Sequence, residues 1–323
     1  MNILFRTDSS FKLGLGHVMR SLVLAKRLQN EDKAFNIFFA TQNLNGNINS
    51  KISEEGFIVY SLKSNKRKEL IEVIKQKKVN FLVVDSYKID SQYEKKLLKK
   101  IACKTLFFDD TFNKHYSDIV LNHGIQVKEK EYKKLITKKT KLLCGSRYTI
   151  LRDEFFKSYP KTTHKDKVAI ILGGNDAQNL SLNIAKLLHK IDSKYKITII
   201  TTSANKNIHF LKKEKNITLL VDIENVAEVL SKQSFIVCAS GGNLFEIMAL
   251  RKRFINIQVA DNQASIVHFL DKKEIFTTLQ MKEITKKRVK EKIEYIMKNK
   301  IYNRLTLEFS EDRLVKEIIS EFT

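Results

Sequence analysis

The chain has 323 residues, 43% of them hydrophobic, enough for a sizeable core in two domains of ordinary size or one large one. Its 59 Lys and Arg against 36 Asp and Glu give a net charge of +23. The lysines are spread along the whole chain on the polar faces of expected helices, with no arginine-rich stripe among aromatics, so a solvated basic surface is the reading and nucleic acid is not an expected partner.

No apolar run reaches the roughly 18 residues of a membrane helix, and the first residues lack the pattern of a secretory signal. Cys103, Cys144 and Cys238 have neither disulfide nor zinc spacing and read as core thiols. The expectation is a cytoplasmic, monomeric protein with no membrane insertion, no metal and no cofactor.

In chain order, strands are expected at Ile3–Arg6, Ile37–Ala40, Phe57–Leu62, Phe81–Asp85, Thr105–Phe108 and Asp118–Leu121. Helices by apolar spacing fall at His17–Gln29, Lys66–Lys77 and Gln92–Ile101. A polar stretch from Lys157 to His164, with the only proline (Pro160), reads as a linker. The alternation then resumes, with strands at Val168–Leu172, Ile197–Thr201, Ile217–Val221, Phe235–Ala239, Phe254–Val259 and Ile275–Leu279. Helices are expected at Ala177–Lys190, Ile223–Ser231, Asn243–Leu250 and Gln263–Leu270. Two charged helical patterns, Lys287–Asn299 and Leu305–Ser320, end the chain.

Strands apolar on both faces, alternating with helices, predict an α/β fold of parallel sheets covered on both sides. The organisation expected is two doubly wound, Rossmann-like domains, residues 1–155 and 156–323, facing a cleft, with ligands beyond the carboxyl ends of the strands.

Three places combine glycine with groups able to do chemistry. The first strand runs into a loop with Gly14 and Gly16, and a helix opens at His17. Glycines there let backbone pass close to a ligand and adopt positive φ, and the helix start favours a phosphate or developing anion. A histidine at that point suits general-base work near neutral pH; a capping or packing role is the alternative. Asp8 can orient the imidazole, contact a sugar hydroxyl or stabilise the turn. Arg20 can face the cleft or pair with carboxylates such as Asp85 and Asp109. Asp85, followed by Tyr87, ends a buried strand and so points toward the ligand side. Asp109-Asp110 repeats that situation, but no histidine cluster accompanies these acids to suggest a metal.

In the second half, Gly173-Gly174 and Gly241-Gly242-Asn243 each follow a strand and precede a helix, an arrangement suited to a diphosphate. Glu246, one turn into the second of these helices, can accept ribose hydroxyls. Asn262 and Gln263 follow a later strand and can read amide or hydroxyl groups of a sugar.

Taken in order, these stretches resemble one family. The most specific is Arg6-x-Asp8-x-Ser10 followed by Gly14-x-Gly16-His17-Val18-Met19-Arg20. Val84-Asp85-x-Tyr87, Phe108-Asp109-Asp110, Cys144-Gly145-x-x-Tyr148-x-x-Leu151-Arg152, Gly173-Gly174-x-Asp176 and Asn262-Gln263 come after it. Over about residues 1–275 the sequence resembles the UDP-2,4-diacetamido-2,4,6-trideoxy-β-L-altropyranose hydrolases of pseudaminic acid biosynthesis, relatives of glycosyltransferase-B-fold enzymes.

The resemblance implies that water attacks the anomeric carbon with inversion and releases UDP without a metal. It places the general base on His17, diphosphate and nucleoside contacts on Gly173-Gly174 and Gly241-Gly242, ribose on Glu246, and diphosphate or sugar on Asn262. Tyr148 and Arg152 enter the expected binding set with its motifs. A transferase of the same fold, passing a UDP-N-acetylhexosamine's sugar to an acceptor, is the alternative.

Overall fold

The computed structural model of the chain describes residues 1–160, 164–174, 176 and 178–322. Part of the expected linker (161–163), Asn175 of the first second-half glycine turn, and the expected helix start at Ala177 lie outside the described residues. Two compact units are present: Met1–Ile150 with the segment from Glu308 onward, and Leu151–Leu307.

The first unit is a seven-stranded, wholly parallel sheet. Its strands are β1 (Asn2–Thr7), β2 (Asn36–Gln42), β3 (Ile58–Leu62), β4 (Phe81–Asp85), β5 (Lys104–Phe108), β6 (Ile119–Asn122) and β7 (Lys141–Cys144). They stand in the order β3-β2-β1-β4-β5-β6-β7. The order reverses direction between β1 and β4, where Thr7 lies opposite Asp85 at the carboxyl ends. Such a reversal opens a crevice where ligands of open α/β sheets bind.

Helices α1 (Gly16–Glu31), α2 (Asn49–Glu54), α3 (Arg67–Gln76) and α4 (Ser91–Leu98) are the crossovers. α1 buries Val18, Leu22, Leu24, Ala25 and Leu28, a stripe at helical spacing, against Ile3, Phe5 and Phe39 of the sheet.

The second unit repeats the pattern. Strands β8 (Lys167–Ile171), β9 (Lys196–Thr201), β10 (Ile217–Val221), β11 (Phe235–Ala239), β12 (Arg253–Gln258) and β13 (Thr278–Gln280) stand in the order β10-β9-β8-β11-β12-β13, again all parallel. Its helices are α5 (Leu180–Ile191), α6 (Ile208–Leu211), α7 (Val226–Ser231), α8 (Gly242–Ala249), α9 (Ala264–Lys272) and α10 (Lys286–Lys298). The expected α/β architecture with two doubly wound sheets is what the chain adopts.

Several bounds differ from the sequence reading, each for a local reason. The β7 strand and the short α2 and α6 helices were not expected, being only four to six residues long, too short for a periodic apolar pattern to show. β13 begins later than Ile275 because the Ile275 N–H closes α9 on the Leu270 carbonyl and the Phe276 N–H goes to the Tyr295 hydroxyl.

The expected tail helix from Leu305 shortens to α11 (Arg313–Ile319). The Glu308 N–H is taken by the Ser146 hydroxyl and the Arg313 N–H by Ser310 Oγ. This last segment, assigned by sequence to the second domain, belongs to the first unit. Leu314, Val315 and Ile318 enter the first sheet's core, and Lys141 pairs with Glu317 and Glu321 at 2.9 and 3.0 Å. An amphipathic stripe specifies that a helix packs, not which of two apolar sheets receives it.

Candidate active site

At the carboxyl end of β1 the chain forms a tight loop. Gly14 and Ser10 bridge through paired backbone hydrogen bonds (2.8 and 3.3 Å), and Gly14 takes a positive φ of 78° that favours glycine. Gly16 begins α1 with a negative φ and open space where a Cβ would stand. The expectation of positive φ thus holds for Gly14 alone.

α1 starts without a side-chain cap and with no acidic residue in its first turn, so His17 sits at the bare positive end of the helix. Its ring is nearly buried, with Nδ1 4.0 Å from Asp85 Oδ1 and Tyr87 edge-on at 4.4 Å between centroids. Burial lowers the His17 pKa; Asp85 and Asp110 pull it back toward the charged form, and Arg20 pushes it down. The net result is an imidazole below its ordinary value, neutral at neutral pH and ready to accept a proton.

Behind His17 lies a dense charge network. Arg20, one turn along α1, clasps both oxygens of Asp85 at 2.6 Å through Nε and Nη2. Its Nη1 donates to Asp110 (2.8 and 3.1 Å) and to His123 Nε2 (2.9 Å), while the guanidinium lies over the Phe108 ring. Arginine only donates, so His123 Nε2 accepts and its proton resides on Nδ1. Burial and then Arg20 push His123 down to about 4. The Tyr87 hydroxyl donates to Asp110 at 2.7 Å. Burial alone would raise Asp110, but Arg20 and these hydrogen bonds hold it well below the usual carboxylate range.

Asp8 takes none of the catalytic contacts expected of it. Its Oδ2 accepts from Arg6 of β1 at 2.8 Å and its Oδ1 from the Gln42 N–H of β2 at 2.7 Å, fully buried, so its two oxygens tie the loop to both strands. The carboxylate facing the imidazole is Asp85.

The carboxyl end of the second sheet is built differently. After β11, Gly241 and Gly242 lead into α8, whose first amides have no side-chain cap. A Cβ at Gly242 would meet nothing within 4 Å, and one at Gly241 would lie 3.5 Å from Gln263 Nε2. Gln263 Oε1 accepts the Val259 N–H at 2.9 Å, which turns its NH2 group toward the glycines. Asn243 is half-buried in the first turn and Asn262 is exposed beside Gln263. Glu246 is gripped by Arg152 in a two-pronged pair at 2.8 and 2.9 Å.

The other glycine turn does not present a helix start. Gly173 takes φ 86°, and the Gly174 carbonyl accepts the Thr202 hydroxyl. α5, however, begins only at Leu180, and the buried Asp176 already caps its Leu180 and Ser181 amides at 2.9 and 3.0 Å. A carboxylate occupies the place expected for a phosphate there.

No family model matches the chain. It is 34% identical over 278 residues, 84% of its length and 97% of the other's, to the UDP-2,4-diacetamido-2,4,6-trideoxy-beta-L-altropyranose hydrolase of Campylobacter jejuni subsp. jejuni serotype O:2. The chain belongs to this hydrolase family. An uncharacterized Methanocaldococcus jannaschii protein, MJ1062, is 29% identical over 268 residues, which are 77% of this chain and 54% of that one. Among solved structures, Acinetobacter baumannii MurG superposes with a TM-score of 0.63 at 14% identity, covering 99% of this chain and 98% of that one. The calicheamicin glycosyltransferase CalG4 gives 0.63 at 12% identity, covering 99% and 94%. At such identities the likeness shows the fold, that of glycosyltransferases.

For this member of the hydrolase family, the residues singled out by sequence divide cleanly. His17, Arg20, Asp85 and Tyr87 form one cluster, and Gly241, Gly242 and Gln263 another, with Arg152 and Glu246 paired. Tyr148 departs from its expected binding role: it is buried in the first sheet's core with Arg313 over its ring. Sequence reasoning missed His123 and the place of Asp110 in the network. The strand-end rule that found Asp85 had already reached Asp109-Asp110 after β5, where Asp110 and not Asp109 meets Arg20, and applied to β6 it would have reached His123. Among the described residues no group of His, Cys, Asp and Glu is arranged to hold a metal, and no helix is long and apolar enough to cross a membrane.

Proposed function

We propose that this chain hydrolyses a UDP-linked 2,4-diacetamido-2,4,6-trideoxy sugar in pseudaminic acid biosynthesis, with His17 as the general base. The observation that carries the reading is His17 itself: a histidine held neutral at a bare helix start, backed by Asp85, at the point where the first sheet reverses. His17 takes a proton from water as the water oxygen bonds to the anomeric carbon. The bond from that carbon to the β-phosphate oxygen breaks, its electron pair leaves with UDP, and the configuration inverts.

UDP is a good leaving group, so preorganised donors suffice on its side. The uncapped amides of α8 beside Gly241 and Gly242 are proposed to take the diphosphate, with Gln263 and Asn262 adding side-chain donors. Glu246 keeps unused lone pairs outside its Arg152 pair, enough to accept ribose hydroxyls. The turn at Gly173-Gly174 keeps only its backbone for this purpose, since Asp176 fills the α5 amides. A nucleotide-sugar substrate fits a cytoplasmic enzyme, and one chain carries every residue named, so a monomer suffices.

Incubation with the UDP-sugar alone, monitored by NMR, tests the reaction: UDP and the inverted free sugar should appear without an acceptor. Strict dependence on an added acceptor would make the enzyme a transferase. His17→Asn should lower kcat by about 10²–10⁴-fold while UDP binding stays close to normal. Near-normal turnover in that variant would remove His17 from the role.

A further inference from the structure

Asp110 is not needed to hold Asp85 in place, because Arg20 already grips both Asp85 oxygens. Resting on the reading of His17 as base, we infer that Asp110 is a positioning residue that supplies the counter-charge for the proton His17 takes up.

A charge count around the imidazole carries the inference. His17 is faced by Asp85 at the end of β4, Tyr87 just beyond it, Arg20 from α1, Asp110 after β5, His123 after β6 and, at longer range, Asp8 after β1. Asp8 is matched by Arg6 at 2.8 Å and sums with it to zero. Asp85 is matched by the two-pronged Arg20 pair and also sums to zero. His123 spends its Nε2 lone pair on Arg20 and is neutral, and Tyr87 is a neutral donor. The single negative charge of Asp110 remains.

With neutral His17 the cluster therefore carries one uncompensated negative charge, and with the imidazolium it carries none. His17 and Asp85 are nearly buried and Asp110 is partly so, and in such surroundings ending with fewer uncompensated charges is the favourable direction for a proton transfer. Asp110 is also fixed where that charge counts. Its Oδ2 receives the Tyr87 hydroxyl at 2.7 Å and Arg20 Nη1 at 2.8 Å, and the same Tyr87 ring lies edge-on to His17. A charge matched one-for-one by Arg20 would leave no surplus; here two carboxylates share one guanidinium.

Asp110→Asn removes the charge and keeps an oxygen for Tyr87. The expected result is an acid limb of the kcat–pH profile displaced to lower pH, with plateau kcat down about tenfold, because a weaker base transfers protons less well. KM should stay near the wild-type value. Asp110→Glu should return the limb to its wild-type position. NMR titration of the His17 ring reads the same coupling without turnover, and should move to lower pH in Asp110→Asn.

A folded Asp110→Asn with an unmoved His17 titration overturns the inference, as does a displaced limb in Asp110→Glu. If the Asn variant does not fold, Asp110→Ser is titrated in its place, with the same two outcomes. Should His17→Asn retain turnover, the base assignment fails while the titration still reports on the coupling. If His17→Asn is inactive and the titration is unmoved in Asp110→Asn, only the counter-charge role fails.

Discussion

The two sheets share one order over six strands and finish their carboxyl ends in opposite ways. The first sheet crowds its reversal point with titratable side chains: His17, Arg20, Asp85, Asp110 and His123 all meet within hydrogen-bond or ion-pair range. The second sheet leaves glycines and an uncapped helix start, with one closed pair, Arg152 and Glu246. Proton transfer needs side chains of tuned pKa, whereas a diphosphate needs many donors at close approach, which backbone amides next to glycine provide. On the proposed reading, the first sheet supplies the reactive half and the second the binding half of one reaction.

The largest expected effect lies in the packing beneath the first sheet. If the final helix belongs to the reactive half, Ile318→Ala should cost about 2–5 kcal/mol of stability, since a buried aliphatic is removed from a packed core. Chemical denaturation monitored through the first unit reads this. A loss confined to the second unit would contradict the assignment of α11.

A smaller effect comes from a second ion network of the first unit. His115 lies between Glu94 (2.8 Å) and Asp109 (3.7 Å). Burial lowers its pKa, but hydrogen bonds and charge from Asp109 and Glu94 outweigh that and raise it to about 9. Its pKa is higher folded than unfolded, so its contribution is fully present below about pH 6.5 and is lost as pH rises through about 9. The contribution is at most about 3 kcal/mol. His115→Gln should flatten the fall of melting temperature between those pH values, and an unchanged slope would count against the network.

The smallest effect belongs to the binding half. Gly242→Ala meets nothing within 4 Å, so the fold should tolerate it. The methyl group would stand where a phosphate is proposed to approach, and UDP affinity by calorimetry should fall about tenfold, or about 1.4 kcal/mol. Unchanged affinity with unchanged stability would move the diphosphate away from α8.

Much of this was readable in order along the chain. Apolar runs with helical stretches between them set both sheets, because doubly covered strands are apolar on both faces. Glycines after a strand, a histidine at a helix start and an acid ending a strand named most of the candidate site. The identity of the carboxylate facing His17 was not readable. Asp8 is nine residues from His17 and Asp85 sixty-eight, yet Asp8 turns to Arg6 and the Gln42 amide while Asp85 faces the ring.

Strand order decides that outcome, since it lays β4 against β1 and brings Thr7 beside Asp85. The same cause brings in the two partners that local sequence did not place. Asp110 and His123 reach Arg20 from the ends of β5 and β6. Asp176, by contrast, withdraws the α5 amides through contacts only four and five residues along the chain, while Tyr148 and α11 pack into the first sheet's core. Sequence alone determined most of the longer strands and helices and where polar groups meet the ends of strands, because those depend on local periodicity and backbone preference. Which partner each polar group takes was decided only by tertiary structure, because pairing depends on distances through space that strand order sets.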